Sequence, residues 1–174
     1  MFFSLSQKQE HNFPFHYELP NGLVLSTDDG WRVFNIKNFN IIFKGYANNL
    51  PCHKLVEQLL DNTQPHAKGN FCAFISDSHS TRLLHDTNRS FPLWINKNTI
   101  TNLQHLDEQI WADCVLTVDN HFKITKDYYN CYTKNTDNFS DVEIVDRIHH
   151  TILETYEQFL THNTKPLKIF VSGG

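Results

Sequence analysis

The sequence has no Cys-x-x-Cys pair and no long apolar run, and both absences narrow its chemistry before any motif is considered. Cys52, Cys72, Cys114 and Cys131 are widely separated. Neither a zinc knuckle nor a dithiol redox motif is therefore expected, and the thiols are read as reduced and partly buried. The best apolar stretch, Leu167 to Val171, is interrupted by Lys168, far short of the roughly 20 apolar residues that span a bilayer. Met1 to Phe15 carries Lys8, Gln9, Glu10 and His11 where a secretory leader has its apolar segment. No membrane partner is expected, and the reading is cytoplasmic. Excess positive charge is also lacking: 15 Lys and Arg against 19 Asp and Glu leave a net charge of -4, which gives no field to attract nucleic acid. Internal repeats, low-complexity tracts and charge blocks do not occur.

What is present is ordinary for a globular chain. With 174 residues, 40% hydrophobic and 20% charged, it is long enough for one compact domain that removes roughly 70% of its unfolded surface from water. Trp31 to Ile36 alternates apolar with polar residues, and Asn40 to Gly45 follows after a brief turn, so the two are expected to form an antiparallel pair. From Pro51, the spacing of Leu55, Val56, Leu59 and Leu60 predicts a helix ending near Asn62. Phe71 to Ile75 is a nearly continuous apolar strand, paired with Arg82 to His85 across the turn at Ser76 to Thr81. Pro92 to Ile95 is expected to extend this meander. Further strands are expected at Thr99 to Leu103, Cys114 to Val118 and Phe122 to Thr125, the last two joined by a hairpin turn at Asp119-Asn120.

A stronger helix follows. Ser140 and Glu143 stand at capping-box spacing, in which hydroxyl and carboxylate satisfy unpaired amides at a helix start. Ile144, Val145, Ile148, Ile152, Tyr156, Phe159 and Leu160 then recur at three- and four-residue steps, which predicts a buried stripe through about Thr161. Asn163 to Pro166 closes it. The chain then runs through the apolar strand Lys168 to Val171 into Ser172-Gly173-Gly174. Small residues there allow backbone amides to approach the phosphates of a nucleotide. Residues 1–163 are accordingly expected to be one domain, and residues 164–174 the stub of a second, nucleotide-using one.

Taken in order, several segments resemble the asparagine synthetase family, which joins a glutamine-hydrolysing domain of the N-terminal-nucleophile type to an ATP-using synthetase domain. Phe43-Lys44-Gly45-Tyr46 is similar to the family's Phe-Asn-Gly-Glu strand end, and Gly69 to Ile75 to its Gly-x-Phe-Ala-Phe-Ala-Ile core strand. His85-Asp86 followed by Pro92-Leu93-Trp94 resembles Arg-Asp followed by Pro-Leu-Tyr. Val171-Ser172-Gly173-Gly174 looks like the entry to the ATP-pyrophosphatase loop. The resemblance implies an α+β fold, an αββα sandwich of N-terminal-nucleophile type reduced in size. It also implies that Ser172, Gly173 and Gly174 belong to a phosphate loop that binds ATP with magnesium in an intact member.

The departures from the pattern bear on chemistry. The family's nucleophile is a cysteine directly after the initiator methionine, activated by its own amino group. Here the sequence reads Met1-Phe2-Phe3, and Ser4, Ser6 and Cys52 carry no adjacent α-amine. Lys44 stands where the family has an asparagine that supports developing negative charge. Neither an Arg-Gly-Pro-Asp loop nor a Ser-Asp-x-Glu segment is found to clamp glutamine. No catalytic residue is therefore assigned, no cofactor is expected for this chain, and the domain is read as a degenerate, catalytically silent amidotransferase. Its expected partner is a synthetase domain or a second copy. The alternative is a free-standing structural or interaction module derived from the fold, and a third reading keeps amidase chemistry through a processing step.

Three other groups are read structurally. Eleven histidines include adjacent His149 and His150, which point about 100° apart on a helix, and His79 and His85 beside a turn. All are read as surface residues, and no metal site is assigned. Asp86 and Arg89 are read as a turn with a local ion pair. Phe71, Phe74, Phe91, Trp94 and Trp111 are read as core.

Overall fold

The computed structural model describes residues 2–47, 54, 56, 57, 60, 69–86, 92–103, 107–110, 114–128 and 139–162. Twelve strands, in chain order, are β1 (Phe3–Ser6), β2 (Phe15–Glu18), β3 (Val24–Thr27), β4 (Arg32–Ile36), β5 (Phe39–Ala47), β6 (Gly69–Ser76), β7 (Ser80–His85), β8 (Leu93–Ile95), β9 (Thr99–Thr101), β10 (Glu108–Ile110), β11 (Cys114–Asp119) and β12 (Ile124–Tyr128). A helix, α1, covers Asp141–His162. The strands form two six-stranded antiparallel sheets, ordered β10-β8-β9-β1-β3-β2 and β12-β11-β7-β6-β5-β4. The fold is α+β.

Alternation along the strands decides how the sheets meet. In β1, Phe3 and Leu5 point one way and Ser4 and Ser6 the other. The apolar pair joins Leu25 and Ile100 of the same sheet and Ile42, Phe74, Leu83 and Leu116 of the other in one buried cluster. The sheets therefore pack face to face, and each fully buried Phe or Leu contributes roughly 1.5–3 kcal/mol. A second cluster lies on the outer face of the β4–β7 region, where Ile41, Phe43, Phe71 and Ile75 pack with Val56 and half-buried Leu60. Both Val56 and Leu60 are helical, in keeping with the expected helix from Pro51. Leu55 and Leu59 lie outside the described residues.

Several expectations need correction. The antiparallel β4–β5 and β6–β7 pairs stand as read from the sequence. β8 does not continue that meander: it pairs with β9 and β10 in the first sheet, so the chain changes sheets between Asp86 and Leu93. The strands β1, β2, β3 and β10, absent from the sequence reading, supply four of that sheet's six. Phe122 opens no strand. It sits in the turn with φ of 63°, and its ring is buried in the inter-sheet core, which offsets an unfavourable left-handed backbone. Asp119 holds this turn by accepting the amides of Lys123 at 2.8 Å and His121 at 2.9 Å.

The two sheets are also tied by polar groups. Asn21, in the β2–β3 turn, donates through Nδ2 to the Val118 carbonyl at 3.3 Å. Its Oδ1 accepts from Thr81 at 3.1 Å and Ser76 at 3.4 Å. All three side chains are buried.

The helix α1 begins as its capping box predicts. The Ser140 amide and hydroxyl both lie 2.8 Å from Glu143 Oε2, and the Glu143 amide donates back to Ser140 Oγ. Its apolar stripe is not buried at the described side chains, which do not include that of Phe159. Ile144, Val145, Ile148, Ile152, Tyr156 and Leu160 are 43–63% exposed, because no described strand packs extensively against the helix.

Candidate functional site

The end of the sandwich at the start of β1 gathers three of the segments singled out in the sequence, Phe43 to Tyr46, Gly69 to Ile75 and His85-Asp86. β5 runs beside β6 with Lys44 opposite Cys72, Gly45 opposite Phe71 and Tyr46 opposite Asn70. β7 brings His85 opposite Cys72. Asp86 closes the group, its amide donating to the Phe71 carbonyl at 3.0 Å and its carboxylate accepting the Phe71 amide at 3.4 Å. Three stretches widely spaced in the chain thus meet on adjacent strands.

Gly45 is fixed by a close approach. Its φ is 120°, and a Cβ there would stand 2.1 Å from the Asn70 carbonyl oxygen and 2.6 Å from Phe71 Cα, so only glycine fits. Its own carbonyl accepts from Arg32 Nη2 at 2.7 Å, while the Arg32 guanidinium lies 5.0 Å from the centre of the Phe43 ring.

Lys44 and Asp28 form the charged centre. Lys44 Nζ lies 2.9 Å from Asp28 Oδ2 and donates to the Asp29 carbonyl. Asp28 Oδ1 accepts from Trp31 Nε1 at 2.7 Å. Burial raises the pKa of Asp28, but hydrogen bonds from Lys44, Trp31 and the Phe2 amide outweigh it and hold the carboxyl below its usual value. The Phe2 carbonyl accepts the Asp28 amide at 3.1 Å, closing a reciprocal pair. Phe3 continues inward, edge-on to Phe74 at 5.0 Å and to Trp31 at 6.0 Å, with its amide donating to Asn102 Oδ1 at 2.9 Å.

The chemistry of this arrangement is restrained. The Lys44 ammonium is held by a carboxylate and a carbonyl, Phe2 offers no nucleophilic atom, and the aromatic trio closes the space behind it. Cys72 is fully buried, and burial followed by the Asp86 charge pushes its thiol well above the ordinary value. It stays protonated at neutral pH. Cys114 is equally buried, so both described thiols are more deeply enclosed than expected.

The other residues singled out in the sequence scatter. Ser172, Gly173 and Gly174, together with Arg89, Phe91, Trp111, Cys52 and Cys131, lie outside the described residues. His149 and His150 are exposed, His150 lying 3.2 Å from Glu154. His79 is exposed, but His85 is 1% exposed and belongs to the interior, a correction that follows from its register opposite Cys72. Asp86 is fully buried and directly follows β7. Phe71 and Phe74 are core, and Trp94 is half-buried. Among the described residues no cluster of three or more His, Cys, Asp or Glu is placed to hold a metal. No helix among them is long and apolar enough to cross a membrane. Asp28 and Trp31 were missed as site residues, although the Asp28-Asp29-Gly30 turn before an aromatic strand was a usable signal.

No protein-family model and no curated protein matches the sequence. Among solved structures, the glutamine phosphoribosylpyrophosphate amidotransferase of B. subtilis, complexed with ADP and GMP, is similar at 10% identity and a TM-score of 0.45. The match covers 64% of this chain and 36% of that one. Among the described residues the architecture is a reduced α+β sandwich: two antiparallel sheets face to face, with helical residues over one outer face.

Proposed function

We propose that this chain is a glutamine-amidotransferase-like domain that does not hydrolyse glutamine, and that it serves as the non-catalytic N-terminal part of an asparagine-synthetase-like, ATP-dependent amide ligase. The observation that carries the reading is the Lys44–Asp28 pair at 2.9 Å. A hydrolytic site of that family needs an unengaged amide donor beside Gly45 to meet developing negative charge. Lys44 replaces it with an ammonium already bound to Asp28 and Asp29. The meeting of the Phe43–Tyr46, Gly69–Ile75 and His85–Asp86 segments at one end supports the family reading. ATP and magnesium belong, on this reading, to the synthetase partner through a loop of the Ser172-Gly173-Gly174 type.

Two measurements test it. Incubation with glutamine should release no ammonia above a buffer blank, and a catalytic signal would overturn the non-hydrolytic reading. Titration with an aspartate-adenylating synthetase domain, followed by light scattering, should give a complex. Absence of any complex would remove the ligase context and leave a free-standing interaction module.

A further inference from the structure

Leu5 and Ile100 point into the inter-sheet core, so their neighbours Ser6 and Thr99, opposite each other in register, face the outside of the first sheet. There they line a cavity of about 350 Å³. The segment Gln7 to Glu10, after β1, and Asn98, in the β8–β9 turn, complete its lining. We propose that this cavity binds a small zwitterion, a free α-amino acid with a polar side chain.

The lining is fixed through its backbone while its side chains stay unengaged. Ser6 Oγ donates to the Lys8 carbonyl at 2.5 Å, and the Glu10 amide donates to Ser26 Oγ at 3.3 Å. Across the cavity, Asn96 Oδ1 accepts the amides of Asn98 at 2.9 Å and Thr99 at 2.8 Å. Among the described residues, no hydrogen bond or ion pair takes up the side chains of Gln7, Lys8, Gln9, Glu10 or Asn98. These lining residues lie within the continuous described stretches 2–47 and 92–103. A backbone already held in place lowers the ordering cost of binding, and free side chains lose no partner when a ligand arrives.

The lining chemistry selects the ligand class. Small-molecule sites are usually mostly apolar, whereas all seven residues here are polar or charged, so an apolar ligand gains little. The Lys8 ammonium and the Glu10 carboxylate cancel in charge, and neither a phosphate nor a metal cation meets an excess of opposite sign. A molecule carrying a carboxylate and an ammonium pairs with both at once, through charge-assisted hydrogen bonds. The carboxamides of Gln7, Gln9 and Asn98 each donate and accept, which suits a hydroxyl or amide side chain on the ligand. The volume stands near the low end of the range for small-molecule sites, roughly 300–1,000 Å³, in keeping with a single amino acid.

The proposal does not rest on the amidotransferase reading, because a binding titration and an ammonia assay fail separately. Ligand-observed NMR of the full chain with L-serine, L-threonine and L-glutamine at millimolar concentration should show saturable binding of at least one. For the amino acid that binds, Lys8→Met and Glu10→Gln should each weaken binding by roughly tenfold, since each removes one charge-assisted contact. Both positions sit on a segment without regular secondary structure, so the urea midpoint should stay that of wild type and report that the fold is intact. Lys123→Met, in the β11–β12 turn, should leave binding unchanged. Ethanolamine, which lacks the carboxylate, and 3-hydroxypropionate, which lacks the ammonium, should bind at least tenfold more weakly than L-serine where serine binds. Binding of none of the three amino acids, equal affinity in Lys8→Met and Glu10→Gln, or equal binding of either one-charge analogue would overturn the proposal. Equal binding of D-glucose would overturn it as well, in favour of a site for neutral polyols.

Discussion

The α-carbon of Gly45 passes so close to Asn70 that an added Cβ would stand 2.1 Å from the Asn70 carbonyl oxygen. The contact is backbone against backbone, between paired strands, and neither side has a flexible group to move away. Gly45→Ala is therefore expected to lose roughly 3–5 kcal/mol through overpacking and a strained φ. The denaturation midpoint should fall steeply. A midpoint within error of wild type would mean that β5 and β6 separate here at little cost.

The Asp28 carboxyl gives a pH dependence of definite sign. Its folded pKa is lowered, so its contribution is fully present above the unfolded value of about 3.9 and is lost as pH falls through the lower folded value. Asp28 and Lys44 side chains are 26% and 20% exposed, and solvent screening keeps the pair to about 1 kcal/mol. Lys44→Met should flatten the acid limb of stability against pH between about pH 4 and the folded pKa. An unchanged limb would show that the pair contributes nothing.

How much of this was legible beforehand depended on element length. β5, β6 and β7 carry long apolar runs such as Phe71 to Ile75, and their pairing follows from the turns between them. β1 is only Phe3-Ser4-Leu5-Ser6, an alternation of the minimum length that signals a strand, and it is absent from the sequence reading. β10, three residues from Glu108, is shorter still. The capping box fixed where α1 begins, yet periodicity says only that a face is apolar and not what covers it. The Asp28-Asp29-Gly30 turn is visible in the sequence, but its pairing with Lys44 is not. That contact exists because the turn folds back over β5, and side-chain geometry across strands is set by register.

The start of α1 offers a second test by pH. Hydrogen bonds from the backbone and side chain of Ser140 hold Glu143 below its ordinary pKa. This support is present above the unfolded value and disappears as pH falls through the folded one. Ser140→Ala should lower helical ellipticity at neutral pH and remove part of its acid dependence, because the capping box loses its hydroxyl. Equal ellipticity in both proteins across the titration would show that the cap contributes nothing.

The polar tie between the sheets should behave as a unit. Asn21 bonds to Val118, Thr81 and Ser76 in a buried setting, so Asn21→Ala takes the side-chain donor from the Val118 carbonyl and the shared acceptor from two hydroxyls, which keep each other at 2.9 Å. The expected loss is about 1–3 kcal/mol, set by the buried polar groups that lose a bond to Asn21. Thr81→Val removes one of those hydroxyls while keeping nearly the same volume. In the double variant the cost should be clearly less than the sum of the single costs, since each single change already removes the bond of Thr81 Oγ1 to Asn21 Oδ1 at 3.1 Å. Urea denaturation of the four proteins measures the coupling. Strict additivity would mean that water reaches these groups as soon as Asn21 is shortened, and that apolar packing alone joins the two sheets at this end.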